Sequence, residues 1–234
     1  MINRRRRSRL LLGGVAAVAA AVGLWAGVAY AAETIKADPN CCTFTEPEYF
    51  SDVSEVPVFD NAGADSPHNV TAFQKGPDGK PLFRSANIAK DHTGIVNGTQ
   101  YLPAGTYDFF CTIHGPTMKS KLTIQQKSSP PVARPKIDVA IPAQSLSKVR
   151  SSGKLKVKVS AKTLSDRISV VAKKGARKLG SAAGIDLAQG ASRNVTLALT
   201  AAGKRSLKNL KSAKVTATGS VPFGKSDSAS RTLR

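Results

Sequence analysis

The sequence predicts an all-β chain built from two β-sandwiches in succession. Three observations carry that prediction. Short strand-like runs are broken at close intervals by Gly and Pro; no long apolar run of helical period follows residue 32; and the charge changes sharply near residue 128. Residues 1–31 hold five Arg and no acid, residues 32–127 hold 8 basic against 11 acidic residues, and residues 128–234 hold 22 against 4. A unit near neutrality followed by one at +18 argues for two functional units, the second attracted to polyanions.

Residues 1–32 are set apart from both. Arg4 to Arg7 and Arg9 form a basic start, Leu10 to Ala32 is uncharged, and Ala29-Tyr30-Ala31 is the small-x-small ending that signal peptidase accepts. The segment reads as a signal peptide cleaved after Ala31 or Ala32, with an uncleaved N-terminal anchor as the alternative. Arg9 stands where a twin-arginine signal needs an apolar residue, so that route is disfavoured. On either reading the rest of the chain is expected outside the cytoplasm, secreted or associated with the cell envelope.

The first sandwich is expected over residues 33–125. Strand candidates are Thr43 to Phe50, Val56 to Phe59, Asn69 to Phe73, Pro81 to Arg84, Gly105 to Cys111 and Lys119 to Ile124, separated by turn residues such as Gly76-Pro77-Asp78-Gly79. In the run before Cys111, strand alternation puts Tyr107, Phe109 and Cys111 on one face. If Cys111 points inward, Phe109 is core and Phe110 faces outward.

The chemistry sits in AGTYDFFCTIHGPTMKSKL, residues 104–122. A thiol, an imidazole and a thioether, Cys111, His114 and Met118, fall within eight residues on one loop between two strand candidates. Two imidazoles and a thiolate in a plane with a weak axial thioether make a type 1 (blue) copper site. His68, in Pro67-His68-Asn69, is the candidate for the second imidazole. Taken singly, each donor has an ordinary explanation: a buried Cys, a surface or core His, a packing Met. Their conjunction favours copper. His92, in the polar stretch Lys90-Asp91-His92-Thr93-Gly94, reads as solvated.

With Pro67-His68-Asn69 and CTIHGPTM in view, residues 33–125 resemble the cupredoxin family, the small blue copper proteins that include plastocyanin, pseudoazurin and amicyanin. The resemblance implies a Greek-key β-sandwich binding one type 1 copper ion through His68, Cys111, His114 and Met118. It further implies that Asn69 ties the His loop to the Cys loop, and that electrons pass through the edge of His114, with Phe110 as a second contact. The spacing Cys-x2-His-x3-Met lies between those of the amicyanin and plastocyanin loops. The activity implied is one-electron transfer between a redox donor and acceptor that the sequence does not name, and not catalysis. Copper storage or delivery, and a structural or adhesive module of the envelope, are the alternatives.

Three cysteines raise a question of pairing. With Cys111 assigned to metal, Cys41 and Cys42 remain. Small buried residues on the first strand is the first-ranked reading; a strained vicinal disulfide, an intermolecular link and a second soft-metal contact stay open.

Residues 126–135 (QKSSPPVARP) read as an extended, poorly packed linker. In residues 136–234 apolar positions alternate with lysines, as in Leu155, Val157 and Val159 against Lys154, Lys156 and Lys158. About seven short strands of this kind, with a short helix or turn over Ala201 to Leu210, fit an immunoglobulin-like sandwich. Its surplus of cations suits anionic cell-wall polymer or membrane-surface contact. Nucleic acid is not expected, because the half has one aromatic residue, Phe223, with which to stack bases. No Gly-rich phosphate loop and no paired Cys-x2-Cys zinc motif is present.

Overall fold

The computed structural model describes residues 33–40, 42–127 and 129–234. Residues 1–32, where a signal peptide or anchor is expected, and Cys41 lie outside the described residues. Among these residues no helix is long and apolar enough to cross a membrane.

The first sandwich contains β1 (Thr34–Lys36), β2 (Glu48–Asp52), β3 (Val58–Asp60), β4 (Thr71–Ala72), β5 (Thr93–Ile95), β6 (Gly105–Cys111) and β7 (Gly115–Gln125). One sheet has the order β1-β3-β5 and the other β2-β7-β6-β4. β1 runs parallel to β3 and β2 parallel to β7, while β6 is antiparallel to both β4 and β7. Inner faces fill with Phe59, Phe83, Phe109, Leu122 and Ile124, all essentially inaccessible to water. Phe109 stands at the centre, meeting Phe44 edge-on at 4.8 Å and lying 6.2 Å from both Tyr49 and Phe83. Such edge contacts add about 1 kcal/mol each beyond the area buried.

Two strand expectations are corrected. The strand after Thr43 starts only at Glu48, because Pro47 has no N–H to give a ladder and instead accepts from Lys121 N–H. Pro81 to Arg84 makes isolated bridges, Lys75 with Pro81 and Thr71 with Arg84, and no strand. Cys42 is also corrected: it is exposed, has a φ of 71° and is disulfide-bonded, so it is not a small buried residue.

The second sandwich contains β8 (Ile137–Ala140), α1 (Leu146–Ser152), β9 (Lys154–Ala161), β10 (Ser165–Lys174), β11 (Arg177–Leu187), β12 (Ser192–Ala198), α2 (Ala201–Leu207), β13 (Ala213–Ser220) and β14 (Asp227–Leu233). Its sheets have the orders β12-β9-β8 and β11-β10-β13-β14. The alternation along β9 is realised: Leu155, Val157 and Val159 are fully buried while Lys154, Lys156 and Lys158 are exposed. The short helices are defined by their ends. Ser145 and Thr200 cap α1 and α2 with side-chain oxygens, and Gly153 closes α1 at φ 65°.

The two sandwiches touch. The linker is better packed than its composition implies: Val132 N–H donates to Gln100 O at 3.0 Å, and Ser54 Oγ donates to Pro130 O at 2.6 Å. From the second sandwich Phe223 reaches the first. Its N–H donates to Asp78 Oδ2 at 3.0 Å, and its ring lies 4.5 Å beneath the Arg84 guanidinium and 5.8 Å from Tyr101. Gly98 permits that approach, since a Cβ there would come within 2.7 Å of the Phe223 ring.

Candidate metal centre

β6 and β7 form a hairpin whose pairing slips at its tip. Phe110 faces Lys119 but Cys111 faces Gly115, so Pro116, Thr117 and Met118 bulge from the ladder. Gly115, at φ 71°, makes the return turn. From this tip Cys111 and Met118 both point inward and are fully buried. His68 comes from the other side, fixed by a two-way backbone bridge with Ile88 at 3.1 and 2.8 Å, and is also fully buried. His114 is half-buried.

The ligand atoms converge. Cys111 Sγ lies 3.9 Å from His68 Nδ1 and 3.6 Å from His114 Nδ1, and the three ligand atoms fall within 4.8 Å of one another. The donor set and this spacing test whether a metal fits. With metal–sulfur near 2.3 Å and metal–nitrogen near 2.0 Å, bond angles between tetrahedral and trigonal place sulfur and nitrogen about 3.5–3.8 Å apart. The 3.6 Å to His114 falls inside that range and the 3.9 Å to His68 just beyond it, so the residues fit a small soft-to-borderline ion. The thiol, two imidazoles and a buried thioether are the donor set for copper. Burial, and then the like charge of His114, hold His68 below the ordinary imidazole range, which keeps it neutral and ready to ligate.

Asn69 clamps the two loops together. Its Oδ1 accepts from Thr112 N–H at 3.0 Å and Thr71 Oγ1 at 3.1 Å, and its Nδ2 donates to Thr112 Oγ1 and to Asn87 Oδ1, both at 2.7 Å. The carboxamide thus has every hydrogen-bonding group satisfied. Phe110 is half-buried, its ring stacked at 4.4 Å on Phe73, which is 44% exposed. His92 stays outside the cluster, exposed, its Nδ1 2.7 Å from Lys90 O. One neighbour of the site was missed in the sequence. Ser66 Oγ lies 3.3 Å from His68 Nε2 and 3.5 Å from His114 Nε2, so one hydroxyl faces the far edge of both rings. A serine two residues before a histidine carries no distinctive signal.

No protein-family model matches the chain. Amicyanin of Paracoccus versutus is 41% identical over 59 residues. Over that stretch the chain is homologous to amicyanin. The match covers 25% of this chain and 41% of the amicyanin, so the chain spans less than half of that relative. An amicyanin variant in a reduced Cu(I) form at pH 4 overlays 43% of this chain and 88% of its own, at 25% identity and a TM-score of 0.34. A DUF3823 family protein from Bacteroides ovatus overlays 86% of this chain and 97% of its own, at 11% identity and a TM-score of 0.31. The amicyanin homology agrees with the cupredoxin pattern of His, Cys, His and Met, and the two sheets of residues 33–125 agree with the β-sandwich that pattern implies.

Proposed function

We propose that this chain is an exported type 1 copper protein that carries single electrons between redox partners outside the cytoplasm. The convergence of Cys111 Sγ with two imidazole Nδ1 atoms is the observation that carries the reading. The amicyanin homology and the leader-like residues 1–32 support it.

Bound copper supplies a one-electron redox couple. The residues around it hold that couple in a fixed frame. Cys111 gives up its proton to become the thiolate donor, while His68 and His114 offer Nδ1 and keep a proton on Nε2, each donating to Ser66 Oγ. Asn69 ties the backbone at Thr112, one residue beyond the thiolate, to the loop that carries His68. Little moves when charge on the site changes, the condition for fast transfer. Met118, buried on the same hairpin, would supply its thioether as the fourth and weakest donor. Four donors leave no position for a substrate, which favours a carrier over an enzyme. The complete burial of His68, Cys111 and Met118 disfavours ready handover of the metal to another protein. On this reading the half-buried His114 is the first contact for a redox partner, and the Phe110–Phe73 stack, next to Cys111 in sequence, the second.

Loading the protein with Cu(II) tests this. Intense visible absorption that bleaches with ascorbate and returns with ferricyanide is expected. Copper bound without that absorption, or stripped within seconds by a mild chelator, contradicts the proposal.

A further inference from the structure

Charge in the second sandwich is sorted by strand direction. β10 and β14 run away from the linker end, and β11 and β12 are paired antiparallel to their neighbours, so each strand has one end near the linker and one far from it. All four acids sit at the near end: Asp138 is second in β8, Asp166 second in β10, Asp186 next to last in β11, and Asp227 opens β14. Among charged side chains, the far end has cations alone. The β10–β11 hairpin tip pairs Lys173 with Lys178 and Lys174 with Arg177. Beside it α2 exposes Lys204 and Arg205, with Lys208 exposed at its C-terminal cap, and Gly153, between α1 and β9, lies against the Lys204 side chain. The three ion pairs among the described residues, Arg84–Asp78, Lys127–Asp52 and Lys162–Asp138, leave all of these cations unneutralised.

The surface there is grooved. One cleft of about 250 Å³ runs between Arg150, Lys204, Arg205 and Lys208. A second, of about 390 Å³, lies between α1 and β9, lined by Lys148, Lys154 and Lys156 with Gln144, Ser152 and Thr196 and by the apolar Ala143 and Val149. Lysines two apart on β9 recur about every 6.7 Å, a spacing suited to successive charges on an extended chain. The large apolar side chains exposed among the described residues, Phe50, Phe73, Ile95, Ile113, Val132 and Leu164, all lie elsewhere, so the pole offers neither a bilayer wedge nor a base-stacking platform.

We propose that this cationic pole binds a flexible phosphodiester polymer without bases, of the poly(glycerol phosphate) kind, threaded along the two grooves. Clefts walled by aliphatic surface and rimmed by ammonium and guanidinium heads, with amide and hydroxyl groups added in the second, fit a chain of alternating phosphates and hydroxyls better than a planar bilayer. The consequence for orientation is geometric. β7 is an 11-residue strand running from the Cys111–Met118 loop to the linker, so that loop lies at the end of the first sandwich remote from the second. A polymer held at the far pole leaves the ligand loop facing away. The proposal does not depend on the identity of the metal.

The test is fluorescence anisotropy of end-labelled poly(glycerol phosphate) with the purified protein, with or without copper. At 50 mM salt, replacing Lys174, Arg177, Lys204 and Lys208 together by Glu is expected to weaken binding by at least about ten-fold, and 200 mM salt to weaken the unaltered protein comparably. The corresponding Gln set should act in the same direction to a smaller extent. A control with the same total charge change on the first sandwich, Lys75, Lys80, Lys90 and Lys121 to Glu, should weaken binding by less than about three-fold. Equal weakening by both Glu sets reduces the effect to net charge and overturns the proposal, as does no binding at 50 mM salt. Tighter binding per phosphate to phosphatidylglycerol vesicles or to a single-stranded oligonucleotide overturns it in favour of a membrane or nucleic acid.

Discussion

Asn69 grips Thr112 twice, accepting from its N–H at 3.0 Å and donating to its Oγ1 at 2.7 Å, across 43 residues of sequence. Thr112 follows the candidate thiolate and Asn69 follows a candidate imidazole, so this clamp fixes how far apart the two ligands stand. Asn69→Ala leaves Thr112 N–H and Asn87 Oδ1 without partners. The expected cost is about 2–3 kcal/mol of stability, with copper affinity reduced ~10–100-fold as for other residues that orient ligands. Thermal melts with and without copper check this. A variant that melts lower but keeps full copper affinity would assign Asn69 to the fold alone.

Met118 is fully buried in the bulge of the β6–β7 hairpin. Leu has nearly its volume and no donor sulfur. Met118→Leu is therefore expected to cost the metal-free protein less than about 1.5 kcal/mol while changing the visible spectrum and reduction potential of the copper form. An unchanged spectrum and potential would show that Met118 packs against the site without donating to it.

His68 gives the metal-free protein a pH dependence. Burial and the nearby His114 lower its pKa in the folded state below the unfolded 6.5. Between those two values the unfolded chain binds the extra proton, so stability rises with pH there and is lost as pH falls from 6.5. Denaturant midpoints of metal-free protein should be flat from pH 8 to 7 and drop below pH 6.5. In His68→Gln that component of the drop should vanish; if the two curves stay parallel, the acid sensitivity originates elsewhere.

How much of this was legible depends on the signal each feature leaves. That His68, Cys111, His114 and Met118 would gather was readable because Cys, His and Met at that spacing seldom occur together by chance, and Asn69 was singled out by the family pattern beside His68. Ser66 was not, since a serine in a turn is common and only the folded loop brings its hydroxyl to both imidazoles. In the second half the lysine alternation gave β9 directly. β11 was hidden because Gly180-Ser181-Ala182-Ala183-Gly184 has little hydrophobic contrast, and its pairing with β10 shifts register three times. α1 was lost for another reason: seven residues are too few to display a helical period, and its Ser145 cap is seen only in the structure. Charge sorting along the second sandwich could not be read at all before strand directions were known.

Phe223 was noticed as a solitary aromatic residue, and its role emerges from its neighbours. Its ring is 5% exposed and carries the Arg84 guanidinium at 4.5 Å, which is held in turn by Pro81 O at 2.9 Å and Asp78 at 3.6 Å. Asp78 also accepts Phe223 N–H, so one carboxylate serves both sides of the junction. Truncating a buried Phe costs about 3–5 kcal/mol in a core, and a junction shared by two sandwiches should lose about the lower figure. Because those contacts cross between the domains, Phe223→Ala should loosen their coupling more than it disturbs either core. Calorimetry is expected to show one cooperative transition in the unaltered protein and two in the variant, with copper raising only the transition of the first sandwich. If the variant keeps one transition that copper shifts as a whole, the linker contacts at Val132 and Pro130, and not Phe223, are what join the two halves.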